Sequence, residues 1–327
     1  MKSNEKTYSF SLIYKIFLLS FLILIIFYGI SFLNNPQRVQ LLVKYIEKQV
    51  EEKNQIESPF SRTLGFIRWN SPYINRISLM EKYRPFFYQL HYSIPNYTSK
   101  LNYTFDGLVS ISCPYKMVSE IMTIILETYS QINGLLFFHF DAWINPFKFQ
   151  DMNFENIWFL DGPLPPFKCV TTTDGWNWWA WSNGFHNIAK AATVMVAKNY
   201  SGRYKTDPNV FCGGWSDIYY IPRRFFQAFI DLANIFHSFD SFHEVAVPTI
   251  VNIIDLNYRL TPHHSVITKL SDCWGSCCAS GVQPNDIKSK KCGHRMDLAN
   301  EQIMKTFIEL LDSQVIHLNK SILNKPN

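Results

Sequence analysis

The stretch Gly134-Leu-Leu-Phe-Phe-His-Phe140, closed by Asp141, decides the fold. An alternating pattern would mark a strand with one wet face. A short continuous apolar run marks a strand buried on both faces, as in sheets covered by helices on each side. In such open α/β sheets ligands bind beyond the carboxyl ends of the strands. Asp141 therefore falls where a ligand or a divalent cation would be met.

Outward from this run, strand and helix signals alternate. Residues 86–93 read as a strand stopped by Pro95, and 107–112 as a weaker one. Residues 115–129 carry Met117, Val118, Ile121, Ile124, Ile125 and Tyr129 on a helical spacing, with Pro114 near the start. A second apolar run, 156–160, ends in Asp161-Gly-Pro163. Residues 185–197 read as a helix. Residues 215–221 read as a strand containing Asp217 and stopped by Pro222. Helices follow over 223–237, over 243–254 around Pro248, and over 298–318. The alternation predicts an α/β body with a mostly parallel sheet flanked by helices.

The chain of 327 residues is 47% hydrophobic and 17% charged, which excludes a wholly disordered protein. The 31 basic and 26 acidic residues leave a scattered net charge of +5, which makes no case for nucleic acid as a partner. Residues 16–33 carry no charge, and together with 12–14 and a snorkelling Lys15 they are long enough to span a bilayer. Ser31-Phe-Leu-Asn-Asn-Pro36 is a poor cleavage site, so an uncleaved signal anchor is expected. Lysines and arginines flank the span almost evenly, and the four sequons at Asn96, Asn102, Asn199 and Asn319 decide the orientation. The expectation is a single-pass type II protein of the Golgi or ER membrane. It has a cytoplasmic tail (1–15), an anchor (16–33), a stem (34–60) and a lumenal catalytic domain (61–327). Val39, Leu42, Val43, Ile46 and Val50 give the stem a helical stripe, either a solvated face or the seam of a homodimer. The seven cysteines fit an oxidising lumen. Cys273, Cys277, Cys292 and His294 match no standard zinc spacing, and a disulfide-pinned loop is expected there.

Several segments could carry chemistry. His139-Phe-Asp141 ends the central strand. Cys212-Gly213-Gly214-Trp-Ser-Asp217 precedes a strand and offers backbone that a sugar can approach closely. Phe242-His243-Glu244 heads a helix, where an acidic side chain also complements the helix dipole. Cys292-Gly-His294-Arg295 places a histidine and an arginine late in the chain. Trp176, Trp178, Trp179 and Trp181 offer four indoles to the apolar faces of a glycan, or to core packing.

Roughly over 84–300, this order of motifs resembles the GT-A glycosyltransferases, which use nucleotide sugars and are often anchored as type II Golgi proteins. The resemblance implies a GT-A-like, Rossmann-like fold and transfer of a sugar to a glycan or glycoprotein acceptor. That family ends a buried strand in Asp-x-Asp; here His139 takes the first acidic position and Asp141 alone matches. By the resemblance Asp141, His139 and the late His294 would hold Mn2+ or Mg2+. The nucleotide sugar would meet Asp141, His139, Arg295, Gly213 and Gly214, and the acceptor would meet the tryptophans. Glu244 or Asp217 would take the acceptor proton. Transfer without a metal, with basic side chains neutralising the diphosphate, stays open. Two other readings compete: a non-catalytic lumenal glycan-binding or cell-wall interaction protein, and a glycoside hydrolase using two carboxylates.

Overall fold

The computed structural model describes residues 57–69, 76–94, 113–160, 167–173, 180, 183–261, 263–275 and 280–323. The expected anchor, the stem up to residue 56, the strand at 107–112, Asp161 and the four tryptophans at 176–181 lie outside them. Among the described residues no helix is long and apolar enough to cross a membrane.

The elements run β1 (Thr63–Arg68), α1 (Ile77–Met80), a 3-10 turn (Glu81–Phe86), β2 (Gln89–Ser93), α2 (Pro114–Thr128), β3 (Gly134–His139) and β4 (Ala142–Ile144). They continue with β5 (Ile157–Leu160), β6 (Lys168–Val170), α3 (Phe185–Asn199), β7 (Phe211–Gly213), β8 (Ile218–Pro222), α4 (Phe226–Ser238) and α5 (His243–Tyr258). Last come β9 (Ile267–Leu270), β10 (Cys273–Trp274), α6 (Pro284–Ser289), β11 (Cys292–His294) and α7 (Glu301–Leu323). Pro248 lies inside α5 as its sixth residue, and the Glu244 carbonyl that it leaves without a helical donor accepts from the Gly214 amide at 3.2 Å instead.

Six strands form the main sheet in the order β2-β1-β3-β8-β5-β9. β1 pairs parallel with β2 and β3, and β5 pairs parallel with β9. β8 runs antiparallel between β3 and β5. The sheet is therefore mixed and mostly parallel. All six residues of β3 are buried, as its apolar run requires.

Side chains alternate across the sheet. One face presents Phe66, Leu135, Phe137, Phe159, Tyr219 and Ile221 to the apolar sides of α2, α3, α4 and α5. Phe137 stacks on Tyr219 at 4.6 Å and on Phe66 at 5.6 Å between ring centroids. Each fully buried ring of this kind contributes about 1.5–3 kcal/mol. The opposite face is an aromatic layer. Phe138 meets Tyr83 and Phe87, Tyr83 meets Phe307 of α7, and Trp158 packs against Phe60, Phe149 and Tyr220.

Three strands make a second sheet, in the order β10-β11-β4, beside the carboxyl end of β3. A disulfide joins Cys273 to Cys292 across β10 and β11, and another joins Cys169 to Cys212 across β6 and β7. The pinned loop expected from the cysteine cluster is thus present, and the bridge consumes two of the thiolates that a zinc site there would need.

Candidate active site

β3 delivers His139 at its last residue, and the chain then turns so that Asp141 leads into β4. β4 pairs antiparallel with β11, which sets His294 opposite Ala142. Asp217 does not lie inside a strand, as the sequence pattern indicated; β8 begins one residue later. Because β8 is antiparallel, its start lies at the same edge of the sheet as the end of β3. The His139 amide donates to the Asp217 carbonyl at 3.2 Å. Glu244, in the first turn of α5, closes the site from the helical side.

The side chains interlock. His139 Nδ1 lies 3.2 Å from Asp217 Oδ1, and His294 Nδ1 lies 3.7 Å from Asp217 Oδ2. His294 Nε2 meets Asp141 Oδ1 at 3.1 Å, and Arg295 Nε reaches Asp141 Oδ2 at 3.3 Å. The two imidazoles stand edge to face, 5.4 Å apart. Burial pulls the His139 pKa down, against the pull of Asp217. Burial acts on His294 in the same sense, but Asp217 and the Asp141 hydrogen bond outweigh it and hold His294 above the ordinary histidine value. For Asp141, burial is outweighed by His294, His139 and Arg295, which keep its pKa low. Asp141 is thus held as a carboxylate, facing the Arg295 guanidinium and the His294 imidazole.

Glu244 is the opposite case. Burial first, and the nearby Asp217 second, push its pKa up to about 8. Its Oε2 is buried without a hydrogen-bond donor among the described residues. Of the two candidate bases, Asp217 faces both imidazoles, though its Oδ2 likewise lacks a hydrogen-bond donor among the described residues, whereas Glu244 has the raised pKa of a buried base.

His139, Asp141 and His294 each offer a ligand atom, and all three atoms lie within 4.8 Å of one another. This two-imidazole, one-carboxylate set fits a divalent cation, and it suits Mn2+ better than Mg2+, which prefers oxygen. The predicted site residues His139, Asp141, Asp217, His294, Arg295 and Glu244 are thus gathered at one edge. Gly213 and Gly214 take a different part. Gly213 ends β7, and the Gly214 amide donates to the Glu244 carbonyl at 3.2 Å, so this segment braces the base of the site.

Two residues escape the sequence pattern. Arg68 ends β1, paired in register with His139, and is fully buried, donating to Ser93 Oγ at 2.6 Å. It supplies a second fixed positive charge beside the histidines. His243 precedes Glu244, and its Nε2 donates to the Ser216 carbonyl at 3.1 Å. That bond ties α5 to the residue before Asp217. A charged residue closing a strand was the available signal for Arg68; nothing in the sequence marks His243.

No family model matches the chain. Over 141 residues, 42% of its length, the chain is 26% identical to the probable glycosyltransferase STELLO1 of Arabidopsis thaliana. Over 142 residues it is 23% identical to the probable glycosyltransferase STELLO2 of the same plant. Each match spans 18% of the relative's own length. The similarity is distant and partial, and it reaches probable glycosyltransferases by a route independent of the site geometry.

Proposed function

We propose that the protein is a glycosyltransferase that moves a sugar from a nucleotide-sugar donor to a hydroxyl of a glycan or glycoprotein acceptor. The observation that carries this reading is the grouping of His139, Asp141, His294 and Arg295 beside the uncommitted carboxyl of Glu244 at the carboxyl edge of a mixed sheet. The distant similarity to probable glycosyltransferases supports it.

In the proposed reaction the donor diphosphate lies against His294 and Arg295, with Arg68 adding positive charge beneath. A divalent cation held by His139, Asp141 and His294 would add charge at the diphosphate oxygens. Glu244, as carboxylate, takes the proton of the acceptor hydroxyl while that oxygen forms its bond to the anomeric carbon. The bond from that carbon to the diphosphate breaks, and the electron pair leaves on the nucleoside diphosphate. Asp217 orients both histidines, and His243 holds the segment that carries Asp217. The proposal includes the single-pass type II anchor over 16–33 and a lumenal Golgi or ER body.

The test is hydrolysis and transfer by the full chain with UDP-, GDP- and CMP-sugars, with and without Mn2+, read beside thermal stability. A ligand at 100 times its dissociation constant stabilises a fold by about 2.7 kcal/mol. Turnover or a stability gain with one nucleotide class is expected. A folded protein with neither response to any of the three classes overturns the reading. Cleavage of a glycan without a nucleotide would replace it with the hydrolase.

A further inference from the structure

On the helical side of this edge, the carboxyl end of α4 and the amino end of α2 bring Cys113, His237 and Asp240 together. Their ligand atoms, one thiol, one imidazole nitrogen and one carboxylate oxygen, all lie within 4.8 Å of one another. Cys113 is fully buried, and its Sγ lies 3.9 Å from Asp240 Oδ1 and 3.6 Å from the Ser241 carbonyl. His237 Nδ1 is buried with no hydrogen-bond partner among the described residues. A buried, unsatisfied ring nitrogen is costly unless something fills the gap.

The backbone supplies a second, independent sign. α4 ends in a Schellman turn: the Asp240 amide donates to His237 at 2.9 Å and the Ser241 amide to Phe236 at 3.1 Å. The residue after the cap in this motif takes a left-handed conformation and is usually glycine. Here it is Asp240, at φ 51°, the one non-glycine residue with positive φ among the described residues. A side chain at this position is an expense that glycine would avoid. What it gains is a carboxylate three residues after His237 and directed at Cys113.

We infer that Cys113, His237 and Asp240 form a metal site for a zinc-class divalent cation, distinct from the His139–Asp141–His294 group. Thiolate, imidazole and carboxylate together match Zn2+, which takes sulfur, nitrogen and oxygen ligands in a tetrahedron. At zinc's usual bond lengths, neighbouring ligand atoms stand about 3.5 Å apart; Cys113 Sγ and Asp240 Oδ1 lie at 3.9 Å, and the His237 nitrogen within 4.8 Å of both. The ion displaces the thiol proton to solvent on binding and leaves the fourth position to water. It ties α2 to α4 just ahead of α5, three residues before His243.

The test loads the full chain, purified without chelator, with Co2+ in place of Zn2+. A thiolate-to-cobalt charge-transfer band and tetrahedral visible bands are expected, and Zn2+ should abolish both. Cys113→Ala should lose the charge-transfer band. Asp240→Gly relieves the left-handed strain, so this variant should fold at least as well as wild type without metal. It should also weaken Co2+ binding at least tenfold and lose most of the Zn2+-dependent gain in Tm. The Cys113 test reads the thiolate itself, so the His139 group cannot imitate it. A folded wild type without the band overturns the inference, as does a band retained in Cys113→Ala. Unchanged Co2+ affinity in a folded Asp240→Gly removes Asp240 from the site and overturns the three-ligand assignment.

Discussion

Asp141 and His294 are 153 residues apart in the chain, yet His294 Nε2 sits 3.1 Å from Asp141 Oδ1. The contact exists because β4 leaves the central strand and pairs with β11, and the Cys273–Cys292 bridge pins β11 in turn to β10. The pair gathers a buried carboxylate and a buried imidazole, and Arg295 adds a guanidinium.

Asp141→Asn should test that pair directly. The amide keeps the shape but removes the charge that, after Asp217, raises the His294 pKa and that holds Arg295 in place. Loss of a ligating or orienting partner of this kind commonly costs 10- to 100-fold in affinity or activity. Transfer or donor hydrolysis should fall by about 100-fold, with circular dichroism and Tm close to wild type. Activity within a few-fold of wild type would remove Asp141 from the site.

Glu244→Gln should separate catalysis from stability. Glu244 must be a carboxylate to accept a proton, and its pKa is raised to about 8 by burial and by Asp217. The kcat/KM of wild type should therefore climb with pH and level off above about 8. The glutamine variant should lose about 100- to 10,000-fold, as removal of a general base does, and lose the climb as well. Stability should run the other way. The folded state holds the Glu244 proton more tightly than the unfolded chain, so between pH 4.5 and 8 stability falls as pH rises. At pH 9 the glutamine variant should be the more stable protein. A variant with the wild-type pH profile would hand the base to another residue.

Gly293→Ala should distort the histidine strand without touching its chemistry. A methyl group at Gly293 would run into the buried Trp143 indole across the β11–β4 pair. Both are held in the interior, so neither can move aside freely. Overpacking of this kind costs about 1–3 kcal/mol. Since His294 is the next residue, activity should fall together with Tm. An unchanged Tm would mean that β11 can shift on β4.

Much of this arrangement was legible as apolar runs. The 134–140 run gave β3 and its burial on both faces, and the helical spacing at 115–129 gave α2 to within a residue. Direction was not legible, because an apolar run reads alike either way, and so β8 enters the sheet reversed. That reversal is what brings Asp217 to the site edge. β1 was missed for a local reason. Gly65 stands in its middle and reads as a breaker, but it is small so that Phe87 and Leu90 can pack against the strand. With β1 went Arg68. Asp141, Glu244 and His294 were found because each stands at the end of an apolar element or beside a cysteine. His243 was passed over because it sits among apolar residues, and its role depends on a carbonyl that only the fold supplies.

His243 makes the last prediction. The Ser216 carbonyl accepts a hydrogen bond from Nε2, so this nitrogen carries the proton of the neutral ring. Nδ1 is buried with no hydrogen-bond partner among the described residues, in a ring stacked on Tyr115 and tilted against Phe137. A second proton would have to enter there, and burial, reinforced by His139, lowers the His243 pKa to about 3. The unfolded chain takes up that proton near pH 6.5, and the folded chain does not until about pH 3. Within that window the unfolded state binds more protons, so His243 destabilises the fold as pH falls. The slope approaches about 1.4 kcal/mol per pH unit once the unfolded histidine is mostly protonated. His243→Gln can still donate to Ser216 but cannot be protonated. It should be less stable than wild type at pH 7.5, where only packing is lost, and should lose less stability than wild type between pH 6.5 and 4. Denaturant midpoints at several pH values measure both. Parallel pH dependence in the two proteins would mean that His243 is protonated in the fold, and that the link from α5 to Ser216 and on to Asp217 is made by a charged ring.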